Sequence, residues 1–98
     1  MHNDMEQRIA DERTHVTDLD SKLDSNRTPY LKGQLRRAGH HLDDALAGLR
    51  HASRSSGHTD MWLGFAEMNL QMAAQMRKQV QDLVKKFGGP ERITEPGS

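Results

Sequence analysis

An unbroken alternation of four- and three-residue spacings between apolar side chains runs through residues 31–52 and restricts this segment to an α-helix. The alternation comprises Leu31, Leu35, Ala38, Leu42, Ala45, Leu49 and Ala52. An α-helix has 3.6 residues per turn, so side chains at these spacings form one stripe, whereas a half-buried strand requires alternation by two. Because alanine occupies most of one set of positions, a neighbouring helix can approach this stripe closely. The pattern predicts a helix over residues 29–52, which begins after Thr28 with a proline in its first turn.

Two further segments carry the same kind of pattern with less regularity. In residues 4–24, Ile9, Val16 and Leu23 recur every seven residues, and short polar side chains follow at 24–26. In residues 60–87, the alternation continues through Trp62, Ala66, Asn69, Ala73, Met76, Val80, Leu83 and Phe87. Gly88-Gly89-Pro90 then predicts a helix end, since glycine accepts the left-handed conformation and proline cannot continue the helix.

Three helices joined by short connectors are expected to pack antiparallel, each on its neighbour in sequence. We therefore predict an all-α fold, a slender antiparallel three-helix bundle with coiled-coil-like seams at about 4–24, 29–52 and 60–87. It forms one domain over residues 1–89, followed by a disordered, flexible tail at 90–98. Glu12 and Asn69 are polar residues at seam positions. They either face solvent or fix the register of the helices through buried hydrogen bonds.

The composition excludes several classes of protein. The 98 residues include no cysteine, which removes disulfides, thiolate metal sites and cysteine nucleophiles. No apolar run approaches the roughly 20 residues of a membrane span, and the first residues are acidic where a signal peptide is basic. There is no glycine-rich phosphate loop and no nucleophile elbow. We predict a cytoplasmic protein with no enzymatic activity, no cofactor and no membrane association.

Zero net charge conceals an uneven distribution along the chain. Residues 1–26 carry three basic and seven acidic side chains, whereas residues 27–58 carry six basic and two acidic ones. We expect these two segments to neutralise each other as neighbours in the bundle.

The third predicted helix carries more apolar side chains than one seam requires. Met61, Phe65, Met68 and Met72 form a second row beside the seam, at spacings of four, three and four. This row is either part of a wide core stripe or a surface for a partner. Methionine-rich faces adapt to different partner surfaces, because the side chain is unbranched and polarisable. The predicted partner-binding residues are Met61, Trp62, Phe65, Met68, Met72 and Met76.

Basic residues on the second helix suggest two roles. Lys32, Arg36, Arg37, Arg50 and Arg54 could steer an acidic partner electrostatically. They could alternatively contact the phosphates of a nucleic acid, although few aromatic side chains that stack on bases accompany them. We do not favour nucleic acid as a partner.

Six histidines raise the alternative of a metal-binding helical protein. The candidate ligands are His15, His40, Asp44 and His51, because imidazole and carboxylate one helical turn apart can chelate a metal. A di-iron bundle needs two Glu-x-x-His units, and this chain has one, at Glu12 and His15. We therefore predict no metal site and retain these residues as weak candidates. The histidines could instead sense pH, since most lie in the basic segment.

The stretch Trp62-Leu63-Gly64, which follows a Ser/Gly connector, resembles the Trp-x-Gly turn of the WXG family of small secreted helical-hairpin proteins. That resemblance implies secretion and a two-helix hairpin. The chain departs from the family pattern because its Trp-x-Gly lies past the middle. In addition, Pro29 interrupts what should be one helix, and no Tyr-x-x-x-Asp/Glu signal follows Phe87. We keep a secreted WXG-like protein only as an alternative.

The favoured function is a non-enzymatic helical interaction module, such as an adaptor, small chaperone or assembly factor. It is expected to bind itself, as a homo-oligomer, or a partner helix through the methionine and aromatic face of the third helix.

Overall fold

The computed structural model describes residues 3–97, which form three helices and no strand. These are α1 (Asn3–Lys22), α2 (Pro29–Arg54) and α3 (Thr59–Lys86). Helix α2 runs antiparallel to both other helices, and the bundle measures 50 × 21 × 17 Å. The predicted all-α slender three-helix bundle is therefore confirmed over the described residues.

The core follows the α2 alternation that the sequence displays. All seven apolar positions of that alternation are buried. Helix α1 contributes Ile9, Val16 and Leu23, which are the three residues of its seven-residue repeat. Facing alanines such as Ala45 and Ala66 bring α2 and α3 close together, and this pair has the most extensive helix–helix packing.

The seam of α3 shifts near its C-terminal end. The sequence predicts Leu83 and Phe87 as seam residues, but they are 40% and 57% exposed, and Val84 is buried instead. A strict seven-residue repeat drifts by about 20° per heptad around a straight helix, so the inward-facing position moves by one residue over several turns. The prediction of these two seam positions is therefore wrong.

The predicted end of α3 is confirmed in detail. Gly88 and Gly89 have φ angles of 94° and 118°, in the left-handed region. The N–H of Gly89 donates to the carbonyl of Val84, and that of Gly88 donates to the carbonyl of Lys85. These two bonds form a Schellman motif, which satisfies the last carbonyls of the helix.

The prediction of a disordered tail at 90–98 is wrong for residues 90–97, while Ser98 lies outside the described residues. Ile93 is buried in the core cluster. Arg27 donates from Nη1 to the carbonyl of Glu91, and the N–H of Glu95 donates to the carbonyl of Arg27. These contacts hold the segment against the end of the bundle where α2 begins.

The same segment completes the start of α2. The hydroxyl of Thr28 donates to the carbonyl of Asp24 and makes no cap bond with the helix. The carboxylate of Glu95 instead accepts the N–H groups of Tyr30 and Leu31, at 2.9 and 2.8 Å. An anion at this position satisfies two free donors and lies at the positive end of the helix dipole.

Ion pairs add to the apolar packing of helix α1 against its neighbours. Arg8 pairs with Glu67 of α3 through two hydrogen bonds of 2.8 Å. Arg13 pairs with Asp43 of α2 at 2.7 Å, and Lys32 pairs with Asp20 at 3.4 Å. The Lys32–Asp20 pair and a longer Arg27–Asp24 pair, at 3.9 Å, join acids of residues 1–26 to bases of residues 27–58. The Arg13 pair has the opposite polarity. The expected neutralisation between these segments is therefore limited to two ion pairs in residues 3–97.

Trp62-Leu63-Gly64 lies inside the first two turns of α3 rather than at a turn between helices. The chain accordingly forms three helices, not the two-helix hairpin that the WXG resemblance implies. Within residues 3–97, no helix combines the length and the apolar character of a membrane span.

Candidate interaction surface

Four apolar side chains of α3 are exposed at the surface of the bundle. Met61, Phe65, Met68 and Met72 are 57%, 37%, 54% and 40% exposed. We call these four residues the α3 stripe. Their spacing of four, three and four places them on one helix face, next to the buried face that contacts α2. The bundle therefore leaves this row uncovered, so of the two interpretations of the row, the structure disfavours a wide core stripe.

Phe65 is held in place by its contacts with α2 and with Trp62. A methyl group added to Gly48 would lie 2.9 Å from Cδ2 of Phe65, so the ring packs directly over the glycine backbone. Trp62 contacts Phe65 edge to face, with ring centroids 5.8 Å apart. On its other side Trp62 stacks on His51, at 4.5 Å and an interplanar angle of 22°. These contacts orient one edge of Phe65 inward and leave the rest of the ring to solvent.

The two other predicted partner-binding residues lie deeper. Trp62 and Met76 are half-buried, and Met76 packs against the core cluster. They form the inner margin of the α3 stripe rather than its exposed part. The structure thus places the six predicted residues on one side of α3, with four of them available to a partner.

Exposed apolar side chains continue beyond the predicted residues. Leu83 continues the α3 stripe toward the end of the helix, and Phe87 at the C-cap of α3 and Tyr30 at the start of α2 are also exposed. The apolar spacing of the sequence predicts Leu83 and Phe87 as seam residues. The signal that distinguishes them is the drift of a seven-residue repeat over the length of α3, which favours Val84 as the buried position.

Beneath the α3 stripe, the polar seam residue Asn69 has a complete set of partners. Asn69 is buried, and its Nδ2 donates to the carbonyl of Phe65 at 3.0 Å. This bond orients the amide so that Oδ1 faces Nδ1 of His41, at 2.9 Å. Since Oδ1 can only accept, His41 carries the proton on Nδ1 in this contact. Of the two roles considered for Asn69, the structure therefore favours fixing the register of α2 and α3.

The second polar seam residue is also buried and paired. Both carboxylate oxygens of Glu12 accept hydrogen bonds from Arg77, at 2.7 Å from Nε and 2.8 Å from Nη2. These bonds raise the pKa of the Arg77 guanidinium above its usual range. Within residues 3–97, every fully buried side-chain polar atom has a hydrogen-bond partner. The buried polar groups thus form hydrogen bonds that stabilise the fold.

Two exposed carboxylates are stabilised in their ionised form. The hydrogen bonds from Arg8 lower the pKa of Glu67, and a further bond from Gln71 adds to this effect. The backbone N–H groups of Arg27 and Asn26 donate to Asp24 and lower its pKa. Both groups support local structure, one between α1 and α3 and the other in the turn before α2.

The proposed steering residues differ in their availability. Lys32 donates from Nζ to the carbonyls of Asp20 and Leu23 at the end of α1. These bonds leave its ammonium group less available to a partner. Four arginines remain exposed on α2 and form no ion pair with the described residues: Arg36, Arg37, Arg50 and Arg54. Asp43 and Asp44 are exposed midway between the two arginine pairs. This interruption weakens the case for a continuous phosphate-binding surface.

The candidate metal ligands do not form a site. His51 stacks on Trp62, and His15 lies on α1 beside the groove that it forms with α3. His40 and Asp44 are exposed on α2. Across residues 3–97, no group of three or more histidine, aspartate or glutamate side chains is arranged to hold a metal ion.

A second surface feature lies between α1 and α2. An open groove of about 480 Å³ runs between α1 and α2. Its lining includes Ile9 and Leu46 at the base and Arg13, Glu6 and Asp18 at the rim. The groove contains no aromatic side chain, and only Ile9, Ala10 and Leu46 of its lining are apolar. We therefore regard the α3 stripe as the stronger candidate for a functional site.

No known protein family matches the chain, and neither a curated protein nor a solved structure matches it significantly.

Proposed function

We infer that the protein is a non-enzymatic helical interaction module, an adaptor, small chaperone or assembly factor, that binds itself or a partner helix. The contact residues are Met61, Trp62, Phe65, Met68, Met72 and Met76. The observation that carries this proposal is the exposure of the α3 stripe on a folded bundle. Large apolar side chains that gather in one exposed row are typical of interaction surfaces.

In this mechanism, an apolar stripe of the partner helix lies along the α3 stripe. The half-buried ring of Phe65 provides a fixed anchor, because Gly48 and Trp62 restrict its position. The unbranched methionines on either side adapt to the shape of the partner. Arg36 and Arg37 are exposed on α2 and favour an acidic partner through faster association.

The size of the α3 stripe indicates moderate affinity. Complete burial of an apolar side chain contributes about 1.5–3 kcal/mol, and these four side chains are already part-buried. Association also costs at least about 4 kcal/mol in lost translational and rotational freedom. We therefore expect a reversible complex rather than a permanent one. The proposal also assigns the protein to the cytoplasm, where small domains without disulfides are common.

The proposal is tested by replacing Met68 and Met72 with glutamine, which keeps the helix propensity and removes exposed apolar surface. Phe87→Gln is the control, because Phe87 is an exposed apolar residue at the C-cap of α3 and lies outside the contact residues. Sedimentation mass and pull-down partners are compared for the three proteins. We expect the double variant to lose self-association or a partner that the control retains. The proposal is wrong if the double variant and the wild type have the same mass and the same partners.

A further inference from the structure

The apolar row on α3 is nearly symmetric about its midpoint in the sequence. Together with its continuation, the exposed row extends from Met61 to Leu83, and Met72 lies at its midpoint. If a second copy of α3 lies antiparallel across this midpoint, Met61 faces the Leu83 of the other copy. Met68 likewise faces the other Met76, and the two Met72 side chains meet at the two-fold axis. Phe65 faces the other Gln79, so antiparallel contact pairs apolar side chains at three of the four positions of the α3 stripe.

A row of α2 residues lies alongside this surface. Tyr30, Arg37, Asp44 and His51 recur every seven residues and so share one helix face. Because His51 stacks on Trp62 and Phe65 packs over Gly48, this face borders the α3 stripe. Tyr30, Arg37, Asp44 and His51 are all exposed. The surface available to a partner is therefore two helices wide.

Charges on this surface are distributed so that they complement each other across the same midpoint. Arg37 and Asp44 lie on either side of His41, and His41 contacts Asn69 near the level of Met72. A two-fold axis at this level places Arg37 of one copy opposite Asp44 of the other, and the reverse. On the other margin, Asp60 at the start of α3 comes opposite Lys85 near its end. The antiparallel arrangement thus pairs opposite charges on both margins.

The area of the surface matches that of a specific, reversible dimer interface. Helix α3 has 28 residues, so one exposed helix face measures roughly 42 by 10 Å, or about 400 Å². The α2 row approximately doubles this to about 800 Å² per copy, which is the usual size for one partner of a specific complex. The zero net charge of the chain also means that two copies do not repel each other overall.

On these grounds we propose that the partner of the α3 stripe is a second copy of this chain, bound antiparallel about a two-fold axis near Met72. Arg37 of each copy faces Asp44 of the other. This inference rests on the proposed function, because it names the occupant of the same surface. A self-complementary patch of this kind is what a two-fold symmetric dimer requires.

The experiment combines sedimentation equilibrium with charge reversal on the full chain. The wild type is expected to sediment at twice the protomer mass of 11.1 kDa and to dissociate on dilution. Arg37→Asp or Asp44→Arg alone places like charges together twice in each dimer and raises the dimer Kd about tenfold. The double variant Arg37→Asp/Asp44→Arg restores opposite pairs and returns the Kd to within about twofold of the wild type. Circular dichroism verifies that each variant is folded.

The possible results separate this inference from the proposed function. A chain that stays monomeric at every concentration overturns the second copy as partner, and pull-down with the methionine variants still tests the surface. Alternatively, the dimer is lost in Met68→Gln/Met72→Gln while the charge reversals leave its Kd unchanged. That result overturns the antiparallel arrangement but still supports the α3 stripe as the contact surface. A dimer that none of these variants affects overturns both proposals.

Discussion

The carboxylate of Glu12 lies between α1 and α3 in a two-point ion pair with the guanidinium of Arg77, and both side chains are largely buried. Loss of one partner leaves the other charge buried without compensation, which is more costly than the pair itself is stabilising. We expect Glu12→Leu to lower the free energy of unfolding by about 3 kcal/mol. Glu12→Leu/Arg77→Met should recover most of that loss. Urea unfolding followed by circular dichroism measures both, and a double variant no more stable than Glu12→Leu would contradict this account.

The sequence predicted the three helices because their apolar periodicity is a local property. It also identified Glu12 and Asn69 as polar residues at seam positions. Their partners, Arg77 and His41, could not be predicted, since they lie on other helices and depend on the register of the bundle. The tail was missed for the same physical reason. Its order depends on the burial of Ile93 and on bonds between Glu95 and α2, which no local pattern shows.

Of the candidate site, the sequence predicted the row itself but not its extent. The spacing of Met61, Phe65, Met68 and Met72 identified an excess apolar face. The exposure of Leu83 could not be predicted, because it depends on how α3 is rotated about its own axis in the bundle. The α2 row beside the α3 stripe could not be predicted either, because its position depends on the contact between His51 and Trp62.

Removal of the carboxylate of Glu95 should loosen the start of α2. In Glu95→Gln, the charged cap on the N–H groups of Tyr30 and Leu31 becomes a neutral amide, which costs about 1 kcal/mol. We expect faster hydrogen exchange at these two amides. Glu91→Gln is the matched control, because Glu91 contributes its backbone carbonyl rather than its side chain to the contact with Arg27. Equal exchange rates in the two variants would show that the cap has no energetic role.

Two glycines of α2 should respond to alanine in opposite directions. At Gly39 an added methyl group meets nothing within 4 Å, so Gly39→Ala should stabilise the helix by about 0.5–1 kcal/mol. At Gly48 the methyl group would lie 2.9 Å from Phe65 and 3.2 Å from the carbonyl oxygen of Trp62. We expect Gly48→Ala to lose about 1–2 kcal/mol through overpacking. Thermal unfolding measures both, and a higher Tm in Gly48→Ala would contradict the close packing of Phe65.

The ion pair of Arg8 and Glu67 should make stability depend on acid pH. The pKa of Glu67 is lower in the folded chain than its ordinary value of 4.5, because Arg8 binds the ionised form. This contribution to stability is complete above pH 4.5 and is lost as the pH falls through the lower, folded-state pKa. The difference in unfolding free energy between wild type and Glu67→Gln should therefore shrink as the pH falls below 4.5. In an Arg8→Gln background, the same difference should show a weaker pH dependence. An unchanged pH dependence in that background would contradict the assignment to Arg8.

Methionine oxidation tests the central claim most directly, because it reports on the α3 stripe residue by residue. Exposed Met61, Met68 and Met72 should react readily with peroxide in dilute solution, and burial in a dimer should protect them. The measurement compares oxidation rates by mass spectrometry at protein concentrations from about 1 μM to about 1 mM, a range that spans moderate affinities. We predict that these three methionines become several-fold slower to oxidise at high concentration, while Met5 on α1 keeps its rate. Equal rates for Met61, Met68 and Met72 at both concentrations would contradict the account.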